Sequence, residues 1–308
     1  MPPAASLASS ASAPPGSAPS DSDALAPASL PRGLPAPRSH AQLQAHYAVE
    51  VELADRLRHA SRLERRRLYG SLYDELFRRV PDHPQLTAAP PDRREEVASQ
   101  LRLLEPFLDR AATVIEIGPG DCALSRALCT RVQRVIGVDV SDEITRRADL
   151  PANFMLRLSD GVSVPGPARG VELVYSHQLM EHLHPDDAVD QLGHIVERLK
   201  PGGVYLCVTP SRLTGPHDIS RFFSPTAKGF HLREYSANEL LALFRAAGFR
   251  EVELVARVRG QLRRLPEAWV LRAEQMMEAA PRWARQSLRR LPPWRWIDTL
   301  CIVGRKSA

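Results

Sequence analysis

The sequence predicts an α/β fold: a mostly parallel seven-stranded sheet with helices on both faces, its last strand antiparallel, plus an N-terminal helical extension. Three observations carry this prediction. Short apolar runs alternate with helical segments from "ATVIEIG" to "FREVELVARV", which implies right-handed crossovers and a covered sheet. A strand runs directly into a glycine turn and a helix at "VIEIGPGDCALS", residues 114–125. Acidic residues stand at three successive strand ends, as Glu116, Asp139 and Asp160.

Residues 1–38 are rich in Ala, Pro and Ser, as in "ASSASAPPGSAPSDSDALAPASLP", and have too little apolar surface to offset the entropy of ordering; they are expected to form a disordered tail. Residues 39–93 form a helical cap, with Leu53, Leu57, Ala60 and Leu63, then Leu68, Leu72 and Leu76, at three- and four-residue steps. The run "RLERRR" on that helix reads as a solvated face. Glu95 and Glu96 favour a new helix start at the head of the core, residues 94–260. Its strands are "ATVIEIG", "RVIGVDV", "NFMLRL", "VELVYS", "GGVYLCVTP" and "FREVELVARV"; "DEITRRA" is one of the helices between them. A helical Trp- and Arg-rich insertion or lid spans 261–293, and residues 294–308 return as the final strand, "DTLCIVGR".

The composition excludes several classes. With 308 residues, 44% hydrophobic and 25% charged, the chain can bury one full core and carry appendages. The net charge of +5 rests on Arg, against only Lys200, Lys228 and Lys306, which reads as base composition rather than a nucleic-acid footprint. Cys122, Cys129, Cys207 and Cys301 are far apart and lack metal-type spacing, so free thiols in a reducing cytoplasm are expected. No apolar run approaches the ~20 residues needed to span a bilayer. The N-terminus also lacks the pattern of a secretory signal.

Ligands of open parallel sheets bind beyond the carboxyl ends of the strands, where the strand order reverses. Gly118 and Gly120 form the turn at that edge, where a missing Cβ allows a tight bend and close ligand approach. A dinucleotide would set its pyrophosphate at the next helix N-terminus. Asp121 and Glu116 place like charge near that point, which argues for a cationic or zwitterionic ligand. S-adenosylmethionine has no phosphate and carries a sulfonium and an ammonium. Asp139, with Val140 after it, ends the second strand 21 residues after Gly118, where a carboxylate can accept hydrogen bonds from both ribose hydroxyls. Asp160, with Gly161 in "LSDG", is placed to accept from the adenine amino group.

These motifs resemble those of the class I S-adenosylmethionine-dependent methyltransferases. "EIGPGDCALS" is similar to their first motif, "VIGVDVS" to their ribose acid and "LSDG" to their adenine acid. "VELVYSHQLMEHL" and "LKPGGVYLCVTPS" resemble their fourth and fifth strands. The resemblance covers about residues 94–260, and Cys122 departs from the common third glycine. It implies a Rossmann-like core that binds S-adenosyl-L-methionine through Glu116, Gly118, Gly120, Asp139, Val140, Asp160, Gly161 and Ser176.

After the fourth strand, "SHQLMEHLHPDD" gathers Ser176, His177, Gln178, Glu181 and His182, and His231 could join them from "GFHLREYS". His182, His231 and Glu181 are the candidate catalytic residues, since His is the side chain best poised for proton transfer near neutral pH; His177 and His217 rank next. The same set resembles a divalent-metal site of some O-methyltransferases. Gln178 replaces its first glutamate and lowers affinity for a hard cation, so a loop-orienting role is preferred to metal binding.

The segment "TPSRLTGPHDISRFF" resembles a bacterial subgroup associated with glycan and natural-product assembly. The expected activity is methyl transfer to a hydroxyl, or second to an amine, of a small metabolite or glycan. The alternatives are an RNA methyltransferase and a non-catalytic or NAD-dependent protein on the same scaffold. An Asn-Pro-Pro-Tyr-type motif is missing after the fourth strand, so nucleic acid is not the preferred partner. Residues 261–296 hold all four tryptophans among many arginines, which suits either a lid or peripheral contact with an anionic membrane.

Overall fold

A computed structural model describes residues 38–87, 93–142, 150–258, 261–288, 290–291 and 294–308. The expected tail before Arg38 and the expected helix at "DEITRRA", beyond Asp142, lie outside these residues.

The sheet is built from β1 (Thr113–Ile117), β2 (Arg134–Asp139), β3 (Phe154–Leu158), β4 (Val171–His177), β5 (Leu199–Pro210), β6 (Glu251–Val258), β7 (Gln261–Arg264) and β8 (Thr299–Arg305), in the order β3-β2-β1-β4-β5-β8-β6-β7. Strands β1 to β5 pair in parallel. The late strand β8 inserts between β5 and β6 and runs antiparallel to both, as its apolar "TLCIVGR" predicts. One strand more than expected is present. Residues 261–264 were expected to be helical but pair antiparallel with β6 from Val255 to Val258, because the outer edge of β6 offers unpaired backbone groups beside a short polar segment.

Alternate side chains of each central strand enter two separate cores. Val114, Val135, Leu173 and Leu206 pack under helices α4 (Arg94–Leu104) and α5 (Ala123–Cys129). Ile115, Ile136, Val174 and Tyr205 pack under α6 (Pro185–Arg198) and α7 (Ala237–Ala246) on the other face. Two N-terminal helices, α1 (His40–His59) and α2 (Arg62–Arg79), join this second core through Leu53, Leu57, Leu72 and Leu76, and the short α3 (Pro84–Thr87) follows them. Each begins with a capping box, Ser39 with Gln42 and Ser61 with Glu64, which satisfies amides that a helix start leaves free.

The link between α2 and α6 is ionic. Arg65 donates to both carboxylate oxygens of Asp187 at 2.6 and 2.8 Å, and the Tyr69 hydroxyl donates to the same group at 2.8 Å. Arg65 and Asp187 are both buried, so this pair fixes the cap where a mobile surface pair would not.

The Trp- and Arg-rich segment continues as α8 (Glu267–Ala279) and α9 (Arg282–Leu288). Val270, Ala273 and Met277 enter the second core, and buried Glu274 accepts from the amides of Ala237 and Asn238 at the start of α7. Trp269 and Trp296 pack ring to ring, whereas Trp283 is 75% exposed. No helix among the described residues is long and apolar enough to cross a membrane.

Candidate active site

Strand register puts the carboxyl ends of β1, β2 and β4 at one level, with Ile117 opposite Val138 on one side and Ser176 on the other. Strand order reverses between β1 and β4, and a cavity of about 200 Å³ opens there. Its floor is the glycine turn. Gly118 and Gly120 adopt φ of +72° and +52°, which glycine reaches without steric cost, and space for 4 Å around a would-be Gly120 Cβ is open. Cys122, the departure from a third glycine, is also left-handed at φ +57°, so a side chain here accepts strain that glycine would avoid.

Asp139, Val140 and Gly161 lie on the cavity wall with Gly118 and Gly120. The Asp139 carboxylate accepts from the amides of Val140 at 2.7 Å and Ser141 at 3.4 Å. Burial raises its pKa, and the amides of Val140, Ser141 and Gly120 oppose that rise.

Three expected cofactor residues are placed elsewhere. Glu116 is buried behind the turn and accepts a short hydrogen bond from Ser125 of α5; burial pushes its pKa up to about 7. Asp160 closes its own turn, accepting from the amides of Val162 and Ser163 at 3.0 and 2.6 Å, and pairs with Arg66 at 3.4 Å. Ser176 is fully buried, with its hydroxyl 2.8 Å from that of Tyr205. Local backbone and core partners occupy all three side chains, and none of the three lines the cavity. The electrostatic argument also changes, because Asp121 is paired with Arg93 at 2.9 Å. The acid that faces the cavity is Asp139, and the wall carries neither Lys nor Arg among the described residues to offset its charge toward a phosphate.

Helix α2 supplies a wall that the sequence pattern did not reveal. Tyr69, Tyr73 and Phe77 recur every four residues and line the cavity, one position along from the core residues Leu68, Leu72 and Leu76. From α6, Gln191 donates to the Gly161 carbonyl at 2.8 Å, which leaves its Oε1 buried without a hydrogen-bond partner on the same wall. The residues of 261–296 that are described contribute nothing to this wall; their packing against α7 and the sheet replaces the expected lid.

The candidate catalytic residues do meet. The ligating atoms of Glu181, His182 and His231 all lie within 4.8 Å of one another, with the two imidazoles edge to face at 4.9 Å. His182 alone of the three is on the cavity wall, beside His177 and Gln178; Gln178 takes a left-handed φ of +55° in the turn after β4. Burial and the neighbouring His231 hold the His182 pKa down to about 3. Buried Glu181 accepts from Thr209 at 2.8 Å through one oxygen, its other oxygen has no partner, and burial raises its pKa to about 7. For His231, burial acts downward but is outweighed by the hydrogen bond to Glu234, at 2.7 Å, and by the carboxylates of Glu181, Glu234 and Asp218, so its pKa is raised. His217 is turned away, its Nε2 held between the Ser211 carbonyl and the Thr214 hydroxyl. A neutral imidazole backed by a carboxylate and a second histidine can receive a proton. The same donor set can also hold a divalent ion.

Comparison with known proteins agrees with this geometry. Residues 91–254 match the family model for a methyltransferase domain. The chain is 34% identical to a probable S-adenosylmethionine-dependent methyltransferase of Mycolicibacterium smegmatis, over 52% of this chain and only 59% of the relative. It is 30% identical to a trans-aconitate 2-methyltransferase of an Azoarcus species, over 61% of this chain and 71% of the relative. A solved structure of phosphoethanolamine N-methyltransferase 1 from Haemonchus contortus, in complex with phosphoethanolamine and S-adenosylhomocysteine, shares the fold at a TM-score of 0.55. That likeness spans 81% of this chain and 51% of the other at 15% identity, and so bears on fold alone. On its motif order, sheet topology and family match, the chain belongs to the class I S-adenosylmethionine-dependent methyltransferases.

Proposed function

We propose that the protein transfers a methyl group to an uncharged hydroxyl of a small metabolite or glycan. The observation that carries this reading is His182, which stands on the cavity wall with Nδ1 3.1 Å from the Phe230 carbonyl; a carbonyl only accepts, so the neutral ring carries its proton on Nδ1 and Nε2 is the proton acceptor. S-adenosylmethionine, when bound, supplies a methyl group activated by its sulfonium. Asp139 would hold the ribose hydroxyls. Gln191, with its unpartnered Oε1, would take the adenine amino hydrogen that the sequence reading gave to Asp160. His182 would take the proton of the acceptor hydroxyl as that oxygen is methylated. A histidine of pKa about 3 is a weak base, so this proton leaves with methyl transfer rather than before it.

The surroundings select the acceptor's charge. Glu181, Glu234 and Asp218 crowd His231, and the wall offers no Lys or Arg among the described residues. Carboxylate or phosphate acceptors, such as those named for the Azoarcus and Haemonchus proteins, would meet repulsion here.

Transfer of labelled methyl groups to a panel of neutral polyols and phenols, amines, carboxylates, phosphate esters and RNA tests this proposal. Turnover is expected with neutral hydroxyl compounds, and His182→Gln should lower kcat by about 10²–10⁴-fold with cofactor affinity unchanged. Turnover confined to anionic acceptors would overturn it.

A further inference from the structure

Helix α1 carries Glu50 and Arg58 far in sequence from the cavity, yet both close on residues 228–230. Arg58 donates to the carbonyls of Lys228 at 2.8 Å and Gly229 at 2.9 Å, while Glu50 Oε2 accepts the Phe230 amide at 3.2 Å. Asp218 takes the Gly229 amide at 2.9 Å, and a Cβ on Gly229 would collide with both the Glu50 and the Asp218 carboxylates. Two successive peptide units, Lys228–Gly229 and Gly229–Phe230, are therefore held by one helix and one loop. From α2, Tyr73 stacks on the Phe230 ring at 4.9 Å and completes the clamp.

The proton positions along this chain of contacts follow from what each group can do. Arg38 Nη1 lies 2.7 Å from His46 Nδ1, and a guanidinium only donates, so His46 carries its proton on Nε2. That proton goes to Glu50 Oε1 at 2.6 Å, so Glu50 accepts through both oxygens. On the far side, the Phe230 carbonyl only accepts, which puts the His182 proton on Nδ1 and leaves Nε2 bare. Arg38, His46 and Glu50 thus end on the Phe230 amide, one peptide unit before the carbonyl that decides which nitrogen of His182 is free. Arg38 also fills the Nδ1 position that a metal-bound His46 would need protonated, so His46 and Glu50 act as a hydrogen-bonded strut although with His83 they cluster at metal-ligand distances.

We propose that Glu50 is a positioning residue for methyl transfer: by holding the Phe230 amide, it places the carbonyl that fixes His182 as the Nδ1–H tautomer with Nε2 free for the acceptor's proton. This inference rests on the methyltransferase reading of the cavity. It makes the N-terminal cap part of the catalytic apparatus.

Nitrogen-15 histidine NMR of the full chain tests it without a known acceptor, with the His182 signal assigned from His182→Gln. The wild type should show His182 as the single Nδ1–H tautomer. Glu50→Gln offers one acceptor to two donors, His46 Nε2–H and the Phe230 amide, so the His182 signal should move to a mixture of tautomers. Adding Arg38→Ala lets His46 shift its proton to Nδ1 and accept from the Gln amide, which should restore the single tautomer. A merely structural role for Glu50 would not produce that rescue. Should Glu50→Gln fail to fold, Arg58→Leu cuts two bonds to the same loop and should give the same mixture. An Nε2–H tautomer in the wild type, an unchanged signal in these variants, or no rescue by Arg38→Ala would overturn the inference. S-adenosylhomocysteine affinity, measured by calorimetry on the same samples, should be unchanged throughout. Loss of that affinity in the wild type would strike the methyltransferase reading separately.

Discussion

Glu116 shows how one side chain can satisfy a motif and still serve the fold. Its carboxyl is buried beside Ser125, and its pKa of about 7 lies above the ordinary 4.5. The folded state therefore holds a proton that the unfolded chain releases earlier. The stability due to that proton is complete below about pH 4.5 and is lost as pH rises through 7, amounting to about 3 kcal/mol. Glu116→Gln, which is neutral at every pH, should gain about that much on the wild type between pH 4.5 and 8 in urea unfolding; parallel stability curves for the two proteins would refute the assignment. The sequence identified this acid, its strand and its turn. It did not carry the Ser125 hydroxyl nine residues away on α5, whose capture of the carboxyl is a matter of packing. Nor did it carry the partners of Asp160, whose oxygens accept from the amides of Val162 and Ser163.

Among the elements, α2 carries a stretch of cavity wall that periodicity concealed. Its leucines mark the core stripe, and the adjacent Tyr69, Tyr73 and Phe77 stripe becomes legible only once α2 is docked against α6. The docking depends on Arg65 and Asp187. Asp187→Ala leaves the Arg65 charge buried and unpaired, so it should cost about 3–5 kcal/mol in urea unfolding, whereas Arg65→Met with Asp187→Leu should come close to wild-type stability. Equal losses in both variants would show that packing of α2, rather than the ion pair, sets the effect. The Trp-rich segment was misread in the opposite sense. Its aromatics suggested a lid, yet Glu274 caps α7 and Val270, Ala273 and Met277 fill the core, roles that depend on partners remote in sequence. Four residues at its start, Gln261–Arg264, are too few for period alone to separate strand from helix.

For the whole molecule, the alternation of strands and helices and the late apolar strand sufficed to anticipate the sheet, because strand order follows from crossover handedness and from where β8 can insert. The cavity wall was legible where backbone geometry decides it, at Gly118, Gly120 and Asp139, and obscure where side chains from separate elements converge, as at Gln191. The central claim is that this cavity binds S-adenosylmethionine through Asp139 and excludes phosphate-bearing dinucleotides. Calorimetric titration of wild type and Asp139→Ala with S-adenosylmethionine, S-adenosylhomocysteine, NAD and NADP tests it most directly. The account predicts one site for the two adenosyl ligands in the wild type, an affinity at least ~100-fold weaker in Asp139→Ala, and no heat with either dinucleotide; binding of NAD alone, or unchanged adenosyl affinity in the variant, would contradict it.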